Sequence, residues 1–110
     1  MRIRALVLAA VMTLGMATSA FAGQWKNGAL RTEDWWYDNL DGTYLANTWA
    51  WIDGNFDGIA ECYYFDADGW MLKQKESPDH FVTNEAGCWT LEGNVQTKAV
   101  EPGSVIVVGK

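Results

Sequence analysis

The chain has 110 residues, 49% hydrophobic and 14% aromatic, with 8 basic against 14 acidic side chains and a formal charge of −6. A chain this short and acidic, with no basic stripe, has room for one small domain and argues against nucleic acid or an anionic membrane as partner. Sugars, cationic head groups, metal ions and proteins are the ligand classes left.

In chain order, residues 1–22, "MRIRALVLAAVMTLGMATSAFA", carry two arginines, an apolar run from Ala5 to Met16 and the small-residue ending Ala20-Phe21-Ala22. That is the three-part pattern of a secretory signal peptide cleaved after Ala22. The apolar run is too short for a comfortable membrane span, so no membrane insertion is expected. Cleavage leaves 88 residues and removes Arg2 and Arg4, so the exported part carries six basic and fourteen acidic side chains, a formal charge of −8.

From Gly23 onward the local chemistry is that of strands and tight turns. Trp, Tyr, Phe, Val, Ile and Thr gather in short runs broken at Asn27-Gly28, Asp41-Gly42, Gly54-Asn55, Asp68-Gly69 and Glu92-Gly93-Asn94. Such dipeptides supply the positive φ angles of hairpin turns. Residues 35–45, "WWYDNLDGTYL", align with 63–72, "YYFDADGWML", if the first copy has one inserted residue, and 81–98 give a fainter echo through Gly87 and Trp89. Units of this size cannot each bury a core. The expected fold is therefore all-β, with short β-hairpin repeats stacked as a solenoid-like array over residues 23–98 and a C-terminal tail or terminal strand over 99–110.

In "TWAWID" the alternation puts Trp49 and Trp51 on one strand face and Ala50 and Ile52 on the other. In the next strand Glu61, Tyr63 and Phe65 share a face opposite Ala60, Cys62 and Tyr64. Pairing Trp49 with Tyr63 separates an aromatic face from a small apolar one; a one-residue slip mixes them, and the pattern leaves that register open. Between the strands, Asp53, Asn55, Asp57 and Gly58 match positions 1, 3, 5 and 6 of an EF-hand loop, but position 12, where a bidentate Glu is needed, is Tyr64. The flanks are also β-prone, so an EF-hand is excluded. The weak alternative is a looser calcium site on Asp53, Asn55 and Asp57; ordinary hairpin-turn chemistry is the preferred reading, with no cofactor expected.

Residues 73–80, "KQKESPDH", read as a polar connecting loop holding the only histidine, His80. Ser77, Asp79 and His80 crowd into one turn, whereas a nucleophilic triad converges from separate elements beside an oxyanion site. No catalysis is expected. The run Ser104 to Val108 is β-prone, either a terminal strand or an exposed edge. Cys62 and Cys88, both in the exported part, predict a disulfide. Closing a 26-residue separation stabilises by about 3.5 kcal/mol in the chain-entropy model. The alternative is two buried thiols.

The 88 exported residues hold 14 aromatics, seven of them Trp, more than so small a core needs. Exposed ring faces suit sugar rings or quaternary ammonium groups. At "WWYDNLDGTYLANTWAWIDGNFDGIAECYYFDADGWML" the chain resembles the cell wall-binding, or choline-binding, repeat family of Gram-positive bacteria, with a weaker likeness at "GQWKNG" and from Phe81 to Lys98. The resemblance implies a hairpin solenoid with ligand sites between consecutive units. By position it carries over Trp49 and Trp51 as first-strand tryptophans, Trp35, Trp36, Tyr37, Tyr63 and Tyr64 as triplet positions, and Met71 as the Met after Gly. The spacing is longer than a regular unit, and the second triplet lacks Trp. The expected function is a secreted, non-catalytic module at the Gram-positive cell surface, whose partner is a wall polymer bearing choline or glycan. The competing reading is a secreted structural or adhesive repeat protein making protein contacts, with a calcium-braced turn.

Overall fold

A computed structural model describes residues 23–108; the signal-peptide reading of 1–22 lies outside them. The described residues form nine strands and no helix. β1 (Gln24–Asn27) pairs with β2 (Trp35–Asp38). β3 (Thr48–Ile52), β4 (Ile59–Phe65), β8 (Thr97–Ala99) and β9 (Val105–Val107) make the central sheet, in the order β8-β4-β3-β9. β5 (Val82–Thr83), β6 (Trp89–Leu91) and β7 (Asn94–Val95) make the third sheet. Every pairing is antiparallel. Strand β8 straddles the boundary drawn at residue 98, and β9 lies on the edge beside β3.

The repeated sequence motif has a repeated turn. Asp66 Oδ1 accepts the N–H groups of Asp68 and Trp70, both at 2.9 Å, and Asp66 N–H donates to the Trp70 carbonyl. Asn84 does the same eighteen residues later, accepting from Ala86 at 3.0 Å and Cys88 at 2.9 Å, while its own N–H donates to the Cys88 carbonyl. In the first copy Asp38 accepts from Leu40 N–H at 2.8 Å, and the inserted residue moves the closing bond to Asn39 N–H and the Thr43 carbonyl. Asn47, Gln74 and Glu92, each two residues beyond Leu45, Leu72 and Thr90, all take positive φ (55°, 56° and 52°). The chain therefore leaves each unit in the same way.

The register of β3 and β4 differs from the pairing of Trp49 with Tyr63. Trp49 stands across from Tyr64, Ala50 from Tyr63 and Trp51 from Cys62. Residues directly opposite share a face, so Ala50 and Ile52 join Tyr63 and Phe65 in the core, while Trp49 and Trp51 join Tyr64 and Cys62 on the other side. The buried core is Tyr37, Leu45, Ala50, Ile52, Phe65 and Met71, with Trp25, Tyr63 and Val105 packed against it. The small residues of β3 leave room for Phe65, whose ring is fully buried. Its neighbours on the opposite face are the bulky pair.

The turn after β3 is organised by Asp53, only 2% exposed. Its carboxylate accepts the N–H groups of Asp57 (3.2 Å), Gly58 (2.8 Å) and Gly103 (3.1 Å). Asp53 N–H in turn donates to the Ser104 carbonyl at 3.1 Å, so this one residue ties the hairpin turn to the turn before β9. Asn55, with its amide turned to donate, reaches Asp53 Oδ1 at 2.9 Å and Asp57 Oδ1 at 3.0 Å. Burial works to raise the Asp53 pKa, but the backbone donors of Gly103, Gly58 and Asp57 outweigh it and hold the carboxyl below its ordinary range. Among the described residues no group of three or more His, Cys, Asp or Glu side chains is placed to hold a metal ion.

The expected disulfide is not formed: Cys62 and Cys88 are separate buried thiols. Strand pairing fixes Cys62 opposite Trp51, and the Asn84 turn fixes Cys88, which leaves the Tyr63 hydroxyl beside the Cys88 sulfur. Cys88 is thus engaged by Tyr63 and not bonded to Cys62. Burial pushes the Cys62 thiol up to about 12, and raises that of Cys88 against the opposing effect of Tyr63.

A candidate binding site of aromatic recesses

The outward face of β3 and β4 is covered in part by the third sheet. Between them lies a recess of about 240 Å³ walled by Trp49, Trp51, Cys62, Asp79, Phe81, Trp89 and Val108. Its rings meet at angles instead of stacking. Trp49 and Phe81 are 6.2 Å apart at 82°, Phe81 and Trp89 5.6 Å at 75°, and Trp51 and Trp89 6.0 Å at 67°. Rings set at steep angles do not stack flat on one another, and all four wall the recess.

Asp79 brings a negative charge to these rings. The Trp49 indole N–H donates to its two oxygens, at 3.1 and 3.3 Å, and the Ser77 hydroxyl donates to Oδ1. The Ser77 bond, aided by Trp49 and opposed by partial burial, holds the Asp79 carboxyl below the usual range. Among the described residues no Lys, Arg or His side chain pairs with it; His80 pairs instead with Glu76, Nδ1 to Oε2 at 2.7 Å, and so does not reach Ser77. The indole N–H of Trp89 is the one buried side-chain polar atom without a partner among the described residues. The recess thus combines aromatic rings, a hydrogen-bonded carboxylate without an ion-pair partner and a donor without an acceptor.

A second recess of about 290 Å³ is walled by Trp25, Trp35, Tyr63, Met71 and Ala86. It is built from the same positions of the preceding unit. Trp25 and Trp49 are the first-strand tryptophans; Tyr63 and Phe81 open their aromatic runs; Met71 and Trp89 follow the turn, bridging to Phe65 and Thr83. The contact between Trp25 and Tyr63, 4.9 Å at 74°, has its counterpart in Trp49 and Phe81. The second recess has no carboxylate in its wall.

The residues selected from sequence are thus distributed over several places. Trp49 and Trp51 meet in the first recess, and Trp35, Tyr63 and Met71 in the second. Trp36 borders a third groove with Tyr44, Asp68 and Trp70. Tyr64 packs on Trp49 at 5.2 Å, and Tyr37 is buried in the core at 5% exposure. Sequence reasoning missed Trp25, Asp79, Phe81 and Trp89. For Phe81 and Trp89 the signal was available, since aligning Asn84 with Asp66 places them on Tyr63 and Met71. Asp79 sent no such signal, because its contact with Trp49 spans thirty residues and depends on how the loop folds back. No protein-family model, characterised protein or solved structure matches this chain.

Proposed function

We propose that the exported chain is a secreted, non-catalytic module that binds the Gram-positive cell surface by taking a choline-type quaternary ammonium group of a wall polymer into the recess of Trp49, Trp51, Phe81 and Trp89. In this reading the hairpin units stack as a solenoid-like array, as in the choline-binding repeat family, and each recess is a junction between consecutive units. The observation that carries it is the Asp79 carboxylate, free of any ion-pair partner among the described residues, beside the aromatic rings of the recess. Ring quadrupoles attract a cation, by about 0.5–2 kcal/mol per contact depending on desolvation, and the carboxylate adds attraction that a neutral ligand does not feel. The repeated positions in the second recess support the same site architecture, and a wall sugar suits its uncharged walls better.

Tryptophan fluorescence tests this reading. Choline is expected to quench emission saturably, while its neutral carbon isostere binds roughly tenfold more weakly, a difference of about 1.4 kcal/mol. Asp79→Asn should weaken choline and leave the isostere unchanged. Equal binding of the two ligands, or no response to either, would overturn the proposal.

A further inference from the structure

We infer that the groove of Trp36, Tyr44, Asp68 and Trp70 is a separate saccharide subsite, built to take an uncharged pyranose ring. This goes beyond the ammonium recess and does not depend on it. The groove holds about 240 Å³ between β2 and the turns of the first two units. Its walls are set in place by close packing. A Cβ on Gly69 would lie 2.6 Å from the Tyr44 ring, and one on Gly28 would lie 2.6 Å from the Trp70 ring, so both rings rest directly on glycine backbone. Trp36 meets Tyr44 edge to face at 6.1 Å and 87°, and its indole N–H is engaged by the Asn27 carbonyl at 3.3 Å.

Each wall holds one carboxylate, Asp68 here and Asp79 in the recess; what separates the two places is a pair of cations already on the rings of this groove. The Arg31 guanidinium lies 4.2 Å from the centre of the Trp70 ring, and Lys26 Nζ lies 5.7 Å from that of Trp36. Both cations are held by carboxylates, Arg31 by Asp34 at 2.9 Å and Lys26 by Asp38 at 2.6 Å. The protein's own cations therefore take up the ring attraction of Trp36 and Trp70 that a quaternary ammonium would use. Neither lines the groove itself, which leaves aromatic surface open within it. Around that surface the Tyr44 hydroxyl, the Asp68 carboxylate and the Trp70 indole N–H enter no side-chain hydrogen bond among the described residues, whereas the backbone N–H groups of Asp68 and Trp70 are bonded in the turn. Apolar ring surface beside free donors and acceptors matches a pyranose, whose C–H face stacks while its hydroxyls bond at the rim.

The test is a titration of the ¹⁵N-labelled chain, following the tryptophan indole N–H signals, with N-acetylglucosamine trisaccharide, with maltotriose and, separately, with choline. At least one saccharide is expected to move the Trp36 and Trp70 signals saturably while leaving Trp89 in place. Trp70→Ala should weaken that binding at least about tenfold. Asp68→Asn, at an exposed side chain without a structural bond, should weaken it several-fold without disturbing the fold, and choline should bind both variants as it binds the unaltered chain. Saccharide shifts confined to Trp49, Trp51 and Trp89, no shift with either saccharide, or full saccharide affinity in Asp68→Asn and Trp70→Ala would each overturn the inference. A saccharide response at Trp36 and Trp70 with no choline response anywhere would sustain it and contradict the ammonium reading instead.

Discussion

Asp79 and Asp53 are both carboxylates held below their ordinary range, and they do opposite work. At Asp79 the Ser77 hydroxyl and Trp49 N–H keep the group ionised at the edge of an aromatic recess, with no ion-pair contact to it among the described residues. Choline affinity should therefore stay level as pH falls from neutrality and decline only in acid below the ordinary carboxylate range, when the carboxyl takes up its proton. A midpoint near neutrality would show that another group governs binding. At Asp53 the charge is spent internally, on three backbone N–H groups. Because its pKa is lowered on folding, its contribution to stability is complete above the unfolded carboxylate value and is lost as pH falls through the lower folded one. Asp53→Asn should lower Tm by roughly 5–10 °C at pH 6, and the gap from the unaltered chain should close in acid. A gap that is constant with pH would refute this.

Among the secondary-structure elements, the three repeated turns after Asp38, Asp66 and Asn84 are each shaped by an Asx bond and left-handed residues. Gly42 and Gly69 sit in the first two turns with φ of +92° and +89°, but a Cβ at Gly42 meets nothing within 4 Å, whereas one at Gly69 strikes Tyr44. Gly42→Ala should therefore cost only the left-handed backbone penalty, about 1–2 kcal/mol, and Gly69→Ala clearly more, which urea denaturation of the two variants measures. Equal losses would mean that Tyr44 is not seated on the turn.

These turns were legible in the sequence because Asp-Gly and its neighbours have few other uses. The register of β3 against β4 was not. Tyr63 and Tyr64 offer an aromatic on either face of β4, so alternation alone could not tell which one meets Trp49. The hydrophobic demand of the core decided it, drawing Phe65 and Tyr63 inward with Ala50 and Ile52. Of the candidate site, the tryptophans of β3 could be read directly and Phe81 and Trp89 through the repeat. The carboxylate that gives the recess its charge depends on a long-range contact that no local pattern encodes.

Across the whole molecule, the third sheet and the central sheet together make the first recess, and the two cysteines lie where they meet. Both thiols are buried and raised in pKa, so in the folded protein iodoacetamide at pH 8 should alkylate neither within the time that denatured chain reacts fully. Mass spectrometry gives the answer, and fast labelling of Cys88 alone would mean that the third sheet detaches from the rest. The same junction is where the account is most directly exposed to test. The chain from Gly23 onward and its Trp89→Ala variant can be applied to purified Gram-positive walls bearing choline. The unaltered chain should be retained and released by free choline, and the variant should pass through. Retention of both forms, or release of neither by choline, would contradict the proposal.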